Sequence, residues 1–151
     1  MRINGGLVMM TEMKTTINIV WNGGKEGNGT LKAGYLDTNI AIPEELGGSG
    51  DGTDPKELLI SSATTCYLTT LAYMLETRNI PVEELKIHSE ATISNQGFYI
   101  NHHPQIKVSA DATEKQVQSA ERAFDGADKS CDVGNLLKNG GVVIKVFGKV
   151  M

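Results

Sequence analysis

The sequence predicts an α+β fold in which antiparallel sheets surround one long buried helix, and three observations carry that prediction. Alternating apolar and polar residues mark short strands toward both ends of the chain. Between them lies a helical stretch with no charge from Leu58 to Leu75. The order of elements is strands, long helix, strand pair, helices and a last strand, so strands and helices are segregated rather than alternating as βαβ units.

Each element has its own signal. In residues 16–21, Ile17, Ile19 and Trp21 alternate with Thr16, Asn18 and Val20, and Asn22-Gly23-Gly24 turns the strand. Residues 30–33 and 35–42 read as two further strands about Gly34, closed by Pro43. A glycine-rich loop, Gly47-Gly48-Ser49-Gly50-Asp51-Gly52, leads to a helix start with Asp54 as cap, Pro55 in first position and Glu57 where a capping box needs it. The helix is predicted over residues 55–78. It is long enough to cross a bilayer, but Ser61, Ser62, Thr64, Thr65, Thr69 and Thr70 make it half polar and no basic clusters flank it, so a core helix is expected.

Leu85, Ile87, Ser89, Ala91 and Ile93 then alternate with polar neighbours in a long strand, and Asn95-Gln96-Gly97 turns it. The returning strand sets Ile100, His102 and Ile106 on one face, and Pro104 within it predicts an edge or a bulge. Thr113 and Gln116 form a second capping box for a helix with the stripe Val117, Ala120, Phe124, Ala127. After a break at residues 130–132, where Ser130 is the expected cap, a short helix runs to Gly140-Gly141 and a last strand fills residues 142–150.

With 151 residues, 40% of them apolar and 21% charged, the chain has the makings of one packed core and not of a disordered polymer. Residues 14–151 are expected to form a single domain. Residues 1–13 are expected to be a disordered extension, since Met10 and Met13 could each be the start. A net charge of −4 provides no field to hold phosphate backbones or an anionic bilayer, so neither nucleic acid nor membrane is expected as a partner. The short run Leu7-Val8-Met9-Met10 is too brief for a signal-peptide core, which predicts a cytoplasmic location. In such a reducing compartment a persistent disulfide is uncommon, and a transient, functional one is the usual exception.

The chain has two cysteines. Taken alone, Cys66 in the middle of the long helix reads as a small core residue, and Cys131 continues the stripe of the helix before it. As a nucleophile Cys66 would need a nearby cation or donor, because the helix dipole acts only over the first turn. His102 and His103 are strand neighbours pointing to opposite faces and His88 lies on the polar face of the other strand. No metal spacing appears, and edge or surface histidines are expected. The glycine loop matches neither nucleotide signature.

The residues Gly47-Gly48, Gly52-Thr53-Asp54-Pro55, Glu57-Leu58 and Cys66, with Cys131-Asp132-Val133-Gly134-Asn135, resemble the OsmC/Ohr family of organic hydroperoxide resistance and osmotically induced proteins. Gly23-Gly24-Lys25-Glu26-Gly27 and Ile42-Pro43-Glu44-Glu45-Leu46 belong to the same resemblance, which extends from Ile17 to Val150. It implies an OsmC-like fold assembled as an intertwined homodimer, and a two-cysteine peroxidase acting on organic hydroperoxides. Cys66 matches the peroxidatic cysteine and Cys131 the resolving one. No bound cofactor is implied. Reduction would come from an external dithiol of lipoyl type or a small thiol. The organic hydroperoxide branch has Arg after the Gly-Gly turn and Glu after the helix-start Pro, where this sequence has Lys25 and Lys56. Lys25 can still supply positive charge but not a planar fork. Glu57 is either the replacement carboxylate or only the capping-box member. The altered positions motivate an alternative, a non-catalytic member that binds a hydrophobic or thiol ligand.

Overall fold

The computed structural model describes residues 13–151 and, before them, the backbone of two short strands that pair antiparallel, β1 (Arg2–Ile3) and β2 (Gly6–Leu7). Of the extension expected over residues 1–13, Met13 is described and exposed, and the remainder, these strands apart, lies outside the described residues. The chain forms two compact units, Met9–Leu59 and Ile60–Met151, the latter grouped with Met1–Val8.

In the first unit β3 (Asn18–Asn22), β4 (Asn28–Lys32) and β5 (Asp37–Ala41) form an antiparallel meander in chain order. Leu31 and Ala41 are its buried apolar residues. Beside them runs an open apolar groove of about 580 Å³, lined by Ile19, Trp21, Ile40, Leu46 and Leu58 among others. The turn after β3 is pinned by Trp21 Nε1 donating to the Gly24 carbonyl at 3.1 Å and by the Gly27 N–H donating to the same oxygen at 2.9 Å. Asp54 starts the long helix as expected, its Oδ1 accepting the Glu57 N–H at 2.8 Å.

That helix, α1, spans Pro55–Thr77. Ala63, Tyr67, Leu71 and Leu75 recur every fourth residue and are buried, whereas Leu59 and Tyr73 are exposed, so burial follows one stripe. Thr69 and Thr70 both donate to the Cys66 carbonyl, at 3.2 and 2.7 Å, whereas the buried Thr64 hydroxyl has no hydrogen-bond partner among the described residues. By length and hydropathy α1 could span a bilayer, yet its buried stripe packs into the protein's own core.

The second unit is built on β6 (Val82–Ser94), β7 (Gly97–Val108), α2 (Glu114–Ser130), α3 (Asp132–Asn139), β8 (Val143–Val146) and β9 (Lys149–Val150). The hairpin β6–β7 is antiparallel, as the alternation predicted, but β8 and β9 pair with β7 in parallel. The sheet is therefore mixed and the single strand expected over residues 142–150 is broken in two. This places β7 inside the sheet, so the edge expected from Pro104 is not found. Pro104 falls between the stretch of β7 paired to β8, which ends at His102, and that paired to β9, which begins at Gln105. At such a break a missing N–H is tolerated. The capping box opening α2 is complete, with Gln116 N–H donating to Thr113 Oγ1 at 3.1 Å and Thr113 N–H to Gln116 Oε1 at 2.8 Å. Ala120, Phe124 and Ala127 of the predicted stripe are buried with Ala123. They meet Tyr67, Leu71, Leu75, Ile80, Ile106 and Cys131 in the core.

Candidate functional site

Cys66 and Cys131 both belong to the second unit and both are free thiols. The fold brings them together: Cys66 packs against the core cluster that contains Cys131, and the two thiols are close enough to influence each other's ionisation. Cys66 is half-buried, while Cys131 is 2% exposed. A reagent from solvent therefore meets Cys66 first.

Cys131 occupies the joint between α2 and α3 and itself caps α3, its Sγ accepting the Gly134 N–H at 3.4 Å. The cap expected at Ser130 is thus one residue later. Ser130 ends α2 in helical geometry, and Cys131 is the first residue with the extended backbone a cap requires. Burial pushes the Cys131 thiol up from its ordinary value, the Gly134 N–H opposes this, and Cys66 and Asp128 add to the rise.

Tyr67, next to Cys66 in sequence, is 1% exposed and donates from its hydroxyl to the Phe124 carbonyl at 3.0 Å. Burial first, and the charge of Asp128 second, hold its phenol well above the ordinary value. Its ring stacks on His102, with centroids 5.1 Å apart and planes 19° from parallel. His102 is 1% exposed, not the surface histidine expected, and shares a 2.6 Å hydrogen bond between Nδ1 and Ser89 Oγ. Burial lowers its pKa, and Asp128 partly restores it. The sequence did carry the signal, because His102 shares a strand face with Ile100 and Ile106. His88 and His103 are on the exposed face as expected, their rings 5.9 Å apart, with His103 Nε2 3.3 Å from Glu90 Oε1. No cluster able to hold a metal ion is found among the described residues.

Lys25, Lys56 and Glu57 lie in the other unit and are exposed. The Lys25 side chain crosses Gly47, whose φ is +86°, so closely that a Cβ there would stand 2.5 Å from Lys25 Cε. Glu57 gives its backbone N–H to the Asp54 cap, and its side chain lines a shallow depression with Glu44, Glu45 and Asp54.

The family model described as OsmC-like protein matches residues 48–146. The Bacillus subtilis (strain 168) protein named "Uncharacterized protein YmaD" is 34% identical over 123 residues, 78% of this chain and 82% of its own. Organic hydroperoxide resistance protein-like 2 of Staphylococcus epidermidis is 26% identical over 118 residues, 75% of this chain and 80% of that one. Among solved structures, an OsmC-like protein from Mycoplasma pneumoniae aligns with a TM-score of 0.72 at 20% identity, over 94% of this chain and 99% of that one. An organic hydroperoxide resistance protein from Legionella pneumophila aligns at 0.63 and 22% identity, over 93% and 100%. The chain belongs to the OsmC-like protein family, and it has that family's α+β fold.

Proposed function

We propose that this protein is a two-cysteine thiol peroxidase that reduces organic hydroperoxides to alcohols, a cytoplasmic defence against oxidative stress. The observation that carries the reading is the adjacency of two free thiols, one half-buried and one fully buried. The names of the hydroperoxide-resistance relatives support the substrate class.

In the first step the Cys66 thiolate attacks the hydroperoxide. The O–O bond breaks, the alkoxide leaves as alcohol after taking a proton, and Cys66 becomes a sulfenic acid. In the second, the Cys131 sulfur attacks Cys66, a disulfide forms, and the sulfenic hydroxyl leaves as water with the proton Cys131 gives up. An external dithiol, of lipoyl type or a small thiol, then restores both thiols by exchange and is itself oxidised. Burial favours the protonated form of Cys131, which keeps it in reserve while Cys66 meets the oxidant. Lys25 enters as the cation at the position of the family's Arg, and Glu57, next to the Lys56 that stands at the family's Glu position, is either the replacement carboxylate or only a helix-cap residue. A homodimer is part of the reading, since a second copy would cover the face of α1 that exposes Leu59 and Tyr73.

The test is to mix reduced protein with cumene hydroperoxide or hydrogen peroxide, trap with dimedone and follow the thiols by mass spectrometry. The expected result is faster thiol loss with the organic peroxide, a transient adduct on Cys66 and a final Cys66–Cys131 disulfide. Equally slow loss with both oxidants would favour the second reading, a non-catalytic binder of hydrophobic or thiol ligands, for which the apolar groove of the first unit speaks.

A further inference from the structure

Two contacts tie the helices on either side of Cys131. From α3, Lys138 Nζ reaches back to Asp128 of α2, 2.9 Å from its Oδ2 and 3.4 Å from its carbonyl oxygen. Asn135 Nδ2 donates to the Lys129 carbonyl at 2.9 Å. The Asp128 and Lys138 side chains are 21% and 30% exposed, against 78% and 77% for the surface pair Asp125–Lys129 one turn away. An ion pair so covered is poorly screened, and its charges are felt by their neighbours. Asp128 stands three residues before Cys131, and its carboxylate opposes ionisation of that thiol. The Gly134 N–H of α3 bonds to the sulfur, the thiols of Cys131 and Cys66 influence each other, Tyr67 feels the charge of Cys131, and His102 of β7 feels those of Asp128 and Lys138.

We propose that Lys138 is a positioning residue for the second chemical step: paired with Asp128, it offsets the carboxylate beside Cys131 and so keeps that sulfur able to attack Cys66. The inference rests on the two-thiol reading above and names the residue that tunes it. It gives the two members of one ion pair opposite effects. Removing Lys138 leaves the carboxylate uncompensated and slows the attack. Neutralising Asp128 removes the opposing charge and quickens it. A contact that mattered only for shape would make both changes harmful.

For each unit by which a thiol becomes less acidic its thiolate falls tenfold while its nucleophilicity rises about threefold, so attack slows about threefold. The experiment treats the reduced full chain with dithiodipyridine. Cys66, the more accessible of the two thiols, takes up one thiopyridyl group and releases one thiopyridone. Cys131 then displaces the group from Cys66, forming the disulfide and releasing a second thiopyridone, whose rate is read by absorbance. Lys138→Met is expected to slow the second release, by up to about threefold, Asp128→Asn to speed it by up to a similar factor, and Lys138→Arg to restore the original rate. Slowing by both Lys138→Met and Asp128→Asn, or no change in either, overturns the proposal. Because no peroxide enters the assay, this failure is separate from that of the peroxidase reading. Release of a single equivalent from the unaltered protein would overturn the two-thiol reading together with this inference. Asp128→Asn keeps the side-chain shape, so it decides the sign even where Lys138→Met fails to fold.

Discussion

Acidification is a perturbation to which His102 should respond measurably. The ring is 1% exposed, stacked on Tyr67 and bonded to Ser89, and burial holds its pKa below the ordinary 6.5. In the unfolded chain the same imidazole takes up its proton near that ordinary value. Between the depressed folded pKa and about 6.5 the unfolded state therefore binds more protons than the folded one, and stability falls as pH falls. One such group contributes a slope of at most about 1.4 kcal/mol per pH unit. Above about 6.5 both states are neutral and the contribution is flat; below the folded pKa both are charged and the loss is complete. The assay is urea unfolding followed by circular dichroism, at intervals from about pH 7.5 to about pH 5. His102→Gln is the comparison, because an amide oxygen can accept from Ser89 and does not titrate. The original protein should lose stability more steeply than the variant across this window. Superimposable pH curves would refute a neutral, buried His102.

Two further substitutions test the packing on which the site rests. Leu71 is 0% exposed within the core that holds Cys131, so Leu71→Ala should cost about 3–5 kcal/mol, read as a lower urea midpoint with unchanged slope. Gly47 has a φ of +86° and lies under the Lys25 side chain, so Gly47→Ala should cost about 1–3 kcal/mol in thermal unfolding; an unshifted melting curve would contradict the crossing geometry.

Local signals were legible in this sequence, and contacts made by distant segments were not. The Thr113–Gln116 capping box, the Asp54 cap and the β6–β7 hairpin depend on residues a few positions apart, and all form as read. Pro104 was misleading for a reason of topology. The strand containing it becomes interior only because β8 and β9, some forty residues later, pair with it in parallel. No periodicity within the strand encodes that event. The same pairing helps enclose His102, which taken singly looked like a surface residue. At the site, a resemblance marked the two cysteines, and their adjacency had to come from the fold. Asp128 and Lys138 escaped notice because two charged residues ten apart read as solvated helix faces until α3 folds back on α2.

The sulfur of Cys131 is also the atom that holds the first turn of α3, through the Gly134 amide. Whatever bonds to that sulfur alters the electrons available to this amide proton, and a helix start has few other acceptors to offer it. The oxidation state of the thiol is thereby written into a backbone group three residues along the chain, where solvent hydrogen exchange reads it without a reagent ever touching the sulfur.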